Sequence, residues 1–259
     1  MNNFTIIFTI AALCILMSCR QSTVEKKGFA VTDSETLDEN KNSKNGLKKD
    51  SLNFDTRPSS VLRTGIPNIR LTTIYKVNIS KKSKKTFIGA NRFHFSYGYR
   101  RGNNWNNNIM PGLRAAYGYN MVNISHYDIE KDEQRNFFKK PVLVNTLYYP
   151  THTQDTLNHE PIKRNYFFVS VYDEDTNKDG FINQDDLRRL YLFDLNGEKQ
   201  QAVIPKNYAV LKSEYDLDND FMYVFAQLDQ NNNGQRDEGE PMQVFWIDLK
   251  DPSRTGRSY

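Results

Sequence analysis

The chain has 259 residues, with 35 Lys and Arg against 31 Asp and Glu, for a net charge of +4. So small an excess gives no electrostatic case for nucleic acid as a partner. Only two cysteines, Cys14 and Cys19, and four scattered histidines are present, which leaves no disulfide framework and no zinc-type spacing.

The first eighteen residues carry no charged side chain, and residues 4–17 are almost continuously apolar. A run of about fourteen apolar residues suits the core of a signal peptide and is short of the roughly twenty that span a bilayer. It ends in Leu16-Met17-Ser18-Cys19, which resembles the lipobox of bacterial lipoproteins. The resemblance implies cleavage before Cys19, lipidation of that residue, and a membrane partner through the lipid. It places the protein outside the cytoplasm on a bacterial membrane, most naturally the outer one, facing the periplasm or the exterior. Removal of the leader would leave Cys19 as the last thiol, so the exported domain must hold together without an internal disulfide. Residues 19–58 are rich in Lys, Asp, Glu, Asn and Ser, without a period of 2 or 3.6, and read as a disordered tether. As a flexible chain of about forty residues it would reach about 35 Å.

Residues 59–259 read as one all-β domain, since short Tyr- and Phe-rich runs alternate with Asn, Asp, Gly and Pro. Strands are expected at 71–79, 92–98, 119–129, 142–149, 166–172, 190–195, 220–228 and 243–249, with at most one helical turn near 183–190. Lys81, Lys82, Lys84 and Lys85 read as a solvated hairpin tip. Trp105 sits among asparagines in a loop at 100–112, a composition able to stack and hydrogen-bond a sugar.

Residues 168–196 and 222–250 align without a gap at an offset of 54. A repeat of that length marks one supersecondary unit beside another. A weaker echo, an apolar strand closing on Asp or Asn and then Ile or Leu, recurs at 74–79, 124–129, 190–195 and 244–249. Strand, Asp, turn and strand in that order resemble the blade hairpins of TolB-like β-propellers. The expected fold is thus a set of repeated antiparallel hairpins, propeller-like with about four blades; the alternative is an antiparallel β-sandwich. No strand is evident after Leu249, and 60–69 could supply it.

Each repeat carries an acidic loop. At 175–186, Asp175, Asn177, Asp179, the Phe181 carbonyl, Asn183 and Asp186 fill the six ligand positions of an EF-hand loop, with Gly180 at the sharp turn. The loop resembles the dockerin version, which also ends in Asp, but its flanks read as strands rather than helices. At 229–240 the same positions hold Asp229, Asn231, Asn233, the Gln235 carbonyl, Asp237 and Glu240, with Gly234 at the turn. Here Arg236 replaces the apolar eighth residue. The resemblance implies calcium in both loops, as a structural ion in a domain without disulfides. No Gly-Xaa-Ser-Xaa-Gly elbow or phosphate-binding glycine loop occurs. The sequence therefore favours a non-enzymatic, calcium-binding scaffold or binding module with a protein or glycan partner. A glycan-binding lipoprotein using Trp105 and a calcium-dependent envelope hydrolase are the alternatives.

Overall fold

The computed structural model describes residues 26–31, 54–93 and 110–259. The leader, Cys19 and Trp105 lie outside the described residues. Within them every regular element is a strand, as the composition requires. The early strands are β1 (Phe29–Ala30), β2 (Thr56–Arg63), β3 (Ile69–Ile79), β4 (Thr86–Ile88), β5 (Arg92–Phe93), β6 (Leu113–Tyr117), β7 (Met121–Asp128) and β8 (Glu133–Asn136). The middle of the chain gives β9 (Leu143–Pro150), β10 (Asp155–Leu157), β11 (Glu160–Ile162), β12 (Phe167–Tyr172), β13 (Phe181–Ile182), β14 (Arg189–Phe193) and β15 (Lys199–Ala202). The last four are β16 (Tyr208–Asp216), β17 (Phe221–Leu228), β18 (Met242–Asp248) and β19 (Thr255–Arg257).

These strands pair as three antiparallel meanders in chain order: β2-β3-β7-β8, β9-β12-β14-β15 and β16-β17-β18-β19. The first two join through the single register pair Met121↔Val144, and β6 continues along β9 beyond that point. Eleven strands are thereby linked, while the third meander is a separate sheet of four. The repeat at an offset of 54 corresponds to the second and third meanders, with β12 matching β17 and β14 matching β18.

Burial explains the stacking. All six residues of β12 and all five of β14 are buried, so the two central strands of the second meander have no solvent face, while β15 at its edge is largely exposed. Phe167, Val169, Tyr191 and Phe193 pack on one side with Leu71, Ile124 and Leu147. Phe168, Leu190 and Leu192 point the other way, into a core with Val210, Val224 and Ile247. Successive side chains alternate across a strand, so strands covered on both faces are apolar at nearly every position, with Ser170 and Arg189 the exceptions here. The flanking sheets show the complementary signature: β17 alternates strictly over its first six residues, burying Met222, Val224 and Ala226.

Four expectations are corrected. The segments 74–79 and 124–129 are not counterparts in two blades; they belong to β3 and β7, which pair with each other in one meander. The partner of β18 after Leu249 is β19, from the polar tail, and 60–69 goes instead to β2 and the turn leading into β3. The stretch 183–188 forms bends and turns without a helix. The tether reading fails at 26–31 and 56–58. Phe29 is buried beside Val122, Leu143, Tyr172 and Ile182, and Pro58 already lies in β2. The lysine-rich turn at 81–85 is exposed as expected.

A buried ion pair clamps the second meander to the third. Arg164 meets Asp220 in a fork, Nη2 to Oδ1 at 2.6 Å and Nη1 to Oδ2 at 2.9 Å. Two further donors reach the Leu249 and Pro111 carbonyls at 2.6 and 3.0 Å. Tyr215 donates to Asp220 Oδ1 at 3.0 Å, and Tyr166 to the Leu249 carbonyl at 2.8 Å. Removing one charge strands the other without water. Asp220→Ala is therefore expected to cost about 3–5 kcal/mol of stability in denaturant unfolding, and Arg164→Met with Asp220→Leu clearly less. A single variant as stable as wild type would refute the clamp.

Candidate metal centre

Two loops link the second and third strands of their meanders, 173–188 between β12 and β14 and 229–241 between β17 and β18. Their side chains fold the backbone through the same bonds. Asp175 Oδ1 accepts from the Asp179 N–H at 3.1 Å and Oδ2 from the Gly180 N–H at 2.9 Å. Asp229 does the same with Asn233 and Gly234, both at 3.1 Å. Asn177 Oδ1 accepts from Asp179 N–H, as Asn231 Oδ1 does from Asn233. Asp179 Oδ1 takes the Phe181 N–H at 2.8 Å, and Asn233 Oδ1 the Gln235 N–H at 3.0 Å. The closing carboxylates match too. Asp186 accepts from the N–H groups of Thr176 and Asn183, both at 2.8 Å. Glu240 accepts from those of Gln230 and Asp237 at 2.9 and 3.2 Å.

The backbone follows the same plan. Lys178 and Asn232 have φ of 60° and 57°, and Gly180 and Gly234 have φ of 84° and 75°. Short Asx side chains that bond to a backbone N–H two residues on make such tight, left-handed turns accessible. Two twelve-residue loops identical only at Asp175/Asp229, Asn177/Asn231 and Gly180/Gly234 thus converge on one conformation.

In the centre of each loop one carboxylate oxygen gathers amide donors. Asp179 Oδ2 receives Asn177 Nδ2 at 3.4 Å and Asn183 Nδ2 at 3.2 Å. Asp237 Oδ2 receives Asn231 Nδ2 at 2.8 Å and Asn233 Nδ2 at 2.5 Å. Asp186 is fully buried, and burial pushes its carboxyl above the usual range despite the bonds it accepts. Among the described residues no three His, Cys, Asp or Glu side chains stand together as a metal cluster. The donor sets the loops offer are mixed, carboxylate with amide and backbone carbonyl.

Sequence reading places both loops but not their contact with each other. Thr176 Oγ1 donates to the Gly234 carbonyl and accepts from the Leu187 N–H at 2.8 Å, while Asp186 bridges Gln235 across the two loops. Nor does it reveal that the first loop receives an outside strand. Phe29 pairs with Ile182 and Ala30 with Phe181, and the Val31 N–H donates to the Gly180 carbonyl at 2.8 Å. Phe29 beside Gly28 in a polar stretch was the available signal for this docking. Thr176 left none.

No protein-family model matches this chain, and no curated protein matches it in sequence.

The glycines separate loop contact from loop conformation. At Gly180 an added Cβ meets nothing within 4 Å, whereas at Gly234 it would lie 1.8 Å from the Thr176 carbonyl oxygen. Gly180→Ala is expected to cost only the conformational strain, about 1–2 kcal/mol. Gly234→Ala should lower the melting temperature distinctly further, because the loops must also part; equal losses would deny the packing.

Proposed function

We propose that this chain is an exported, lipid-anchored calcium-binding protein, a non-enzymatic scaffold or binding module whose paired loops use calcium as a structural ion. The observation that carries the reading is the shared hydrogen-bond plan of the two loops, with Asp, Asn and Gly at the EF-hand positions in each. Asp175, Asn177, Asp179, Asn183, Asp186 and the Phe181 carbonyl would hold the ion in the first loop. Asp229, Asn231, Asn233, Asp237, Glu240 and the Gln235 carbonyl would do so in the second. Bound calcium supplies a double positive charge to loops that each carry three carboxylates among their ligand positions. Asp at the twelfth position of the first loop is one methylene shorter than the bidentate Glu of an EF-hand, so modest affinity is expected there.

Extracellular calcium loops bind at about 0.1–1 mM, and a ligand at a hundredfold excess stabilises by about 2.7 kcal/mol. Calcium should therefore raise the melting temperature of the full chain, and EDTA reverse it. Asp175→Ala with Asp179→Ala should remove most of the shift. A melting temperature indifferent to calcium would end the proposal.

The anchor rests on Cys19 behind its apolar leader. Labelled palmitate is expected to enter the wild type and not Cys19→Ala; equal incorporation would exclude this attachment site.

A further inference from the structure

The second meander is not fully roofed by the third. Beyond the edge of β16 the strands β6 and β9 floor two adjoining hollows, of about 200 and 210 Å³, that share Asn145, Thr146 and Tyr148. The cause is local. A register shift in the pairing of β9 with β12 falls at Asn145, and β9 is left by β7 after Val144 before β6 takes over at Leu147. A second shift, in β16 between Val210 and Lys212, turns the Val210 and Leu211 carbonyls toward the same crevice, where Arg188 meets them.

Arg188 spans the crevice. Its Nε donates to the Val210 carbonyl at 2.7 Å, Nη1 to Asn145 Oδ1 at 2.9 Å, and Nη2 to the Leu211 carbonyl. A guanidinium has five N–H donors, so two remain. Lys27, on the docked N-terminal strap, lines the hollow from the other side with Tyr117. Among the described residues neither Lys27 nor Arg188 forms an ion pair, whereas Lys212 is matched by Glu214 at 2.5 Å. Burial, then the Arg188 charge, pushes the Lys27 ammonium below its ordinary range, and Arg236 adds a third positive charge close enough to act on Arg188. Charges of one sign in a concave, partly dry site focus a field that attracts the opposite charge. Burying such charges without a counterion is costly.

We propose that this crevice binds an oxyanion, the carboxylate or sulfate of a small ligand, with Lys27 and Arg188 supplying the charge. Asn145 and Thr146 supply neutral polar contacts and the rings of Tyr117 and Tyr148 the flat walls. Arg188 closes the first loop, but neither it nor Lys27, Asn145 or Thr146 is among the side chains proposed to hold calcium, so calcium and anion titrations test the two readings separately.

The experiment is calorimetric titration of the full chain with sulfate and with glucuronate, at ionic strength held constant by chloride. One site is expected for at least one of them. Sulfate binding points to the inorganic ion, and binding of glucuronate alone to a sugar-borne carboxylate. Loss of a charged hydrogen bond should weaken binding about tenfold in Lys27→Gln and in Arg188→Gln. The exposed Lys85→Gln, in the turn between β3 and β4, should bind as wild type. Arg188 also ties β9 to β16, so Lys27→Gln decides the matter if the other variant does not fold. Absence of binding by either anion, or wild-type affinity in Lys27→Gln, would overturn the proposal.

Discussion

A sheet with two buried faces governs this molecule. Because Phe167 and Phe168 point into different cores, the second meander is held by its neighbours on both sides, and neither neighbour can detach without exposing it. Burial of a large apolar side chain contributes about 1.5–3 kcal/mol, and β12 and β14 place nine apolar or aromatic residues in that environment. The Arg164–Asp220 fork adds direction to this non-directional force by holding the third meander in one position. Its bonds to the Leu249 carbonyl fix the end of the repeat.

The acidic loops depend on that stack. They leave equivalent corners of two adjacent meanders, so stacking the meanders brings Thr176 against Gly234 and Asp186 against Gln235. Loops so rich in carboxylate would otherwise repel one another. Their side chains are instead committed to their own backbones, which sets each loop's shape. The strap at 26–31 adds to the same corner: Phe29 fills a small apolar cluster, while its backbone completes the edge left by Phe181–Ile182. Among the described residues the first meander shows no such loop. Between its second and third strands the chain runs instead through β4, β5 and β6, and that detour supplies the floor of the cationic crevice.

Much of the candidate centre was legible because its rules are local. Asp, Asn and Gly at fixed spacing specify turns within a dozen residues, and both loops fold as their pattern implies. The β-rich class followed from short Tyr-, Phe- and Val-rich runs, and the offset of 54 marked two true structural counterparts. The weaker echo misled because strands β3 and β7 carry similar patterns while lying side by side in one sheet. β16 passed unnoticed: its irregular pairing at Val210–Lys212 breaks the alternation that would announce a strand. β19 hid behind Pro252 and Gly256, the latter tolerated because the Trp246 ring lies against its backbone.

By itself the sequence determined strand chemistry, the conformation of two acidic turns and the kinship of two modules, since each depends on residues near one another along the chain. Only the tertiary structure decided that three meanders stack with β12 and β14 of the middle one buried on both faces, that the acidic loops touch, and that Lys27 comes to face the crevice spanned by Arg188. Those outcomes join residues far apart in the chain. Apolar burial has no direction along the sequence, so which distant surfaces meet is settled only when the whole core closes.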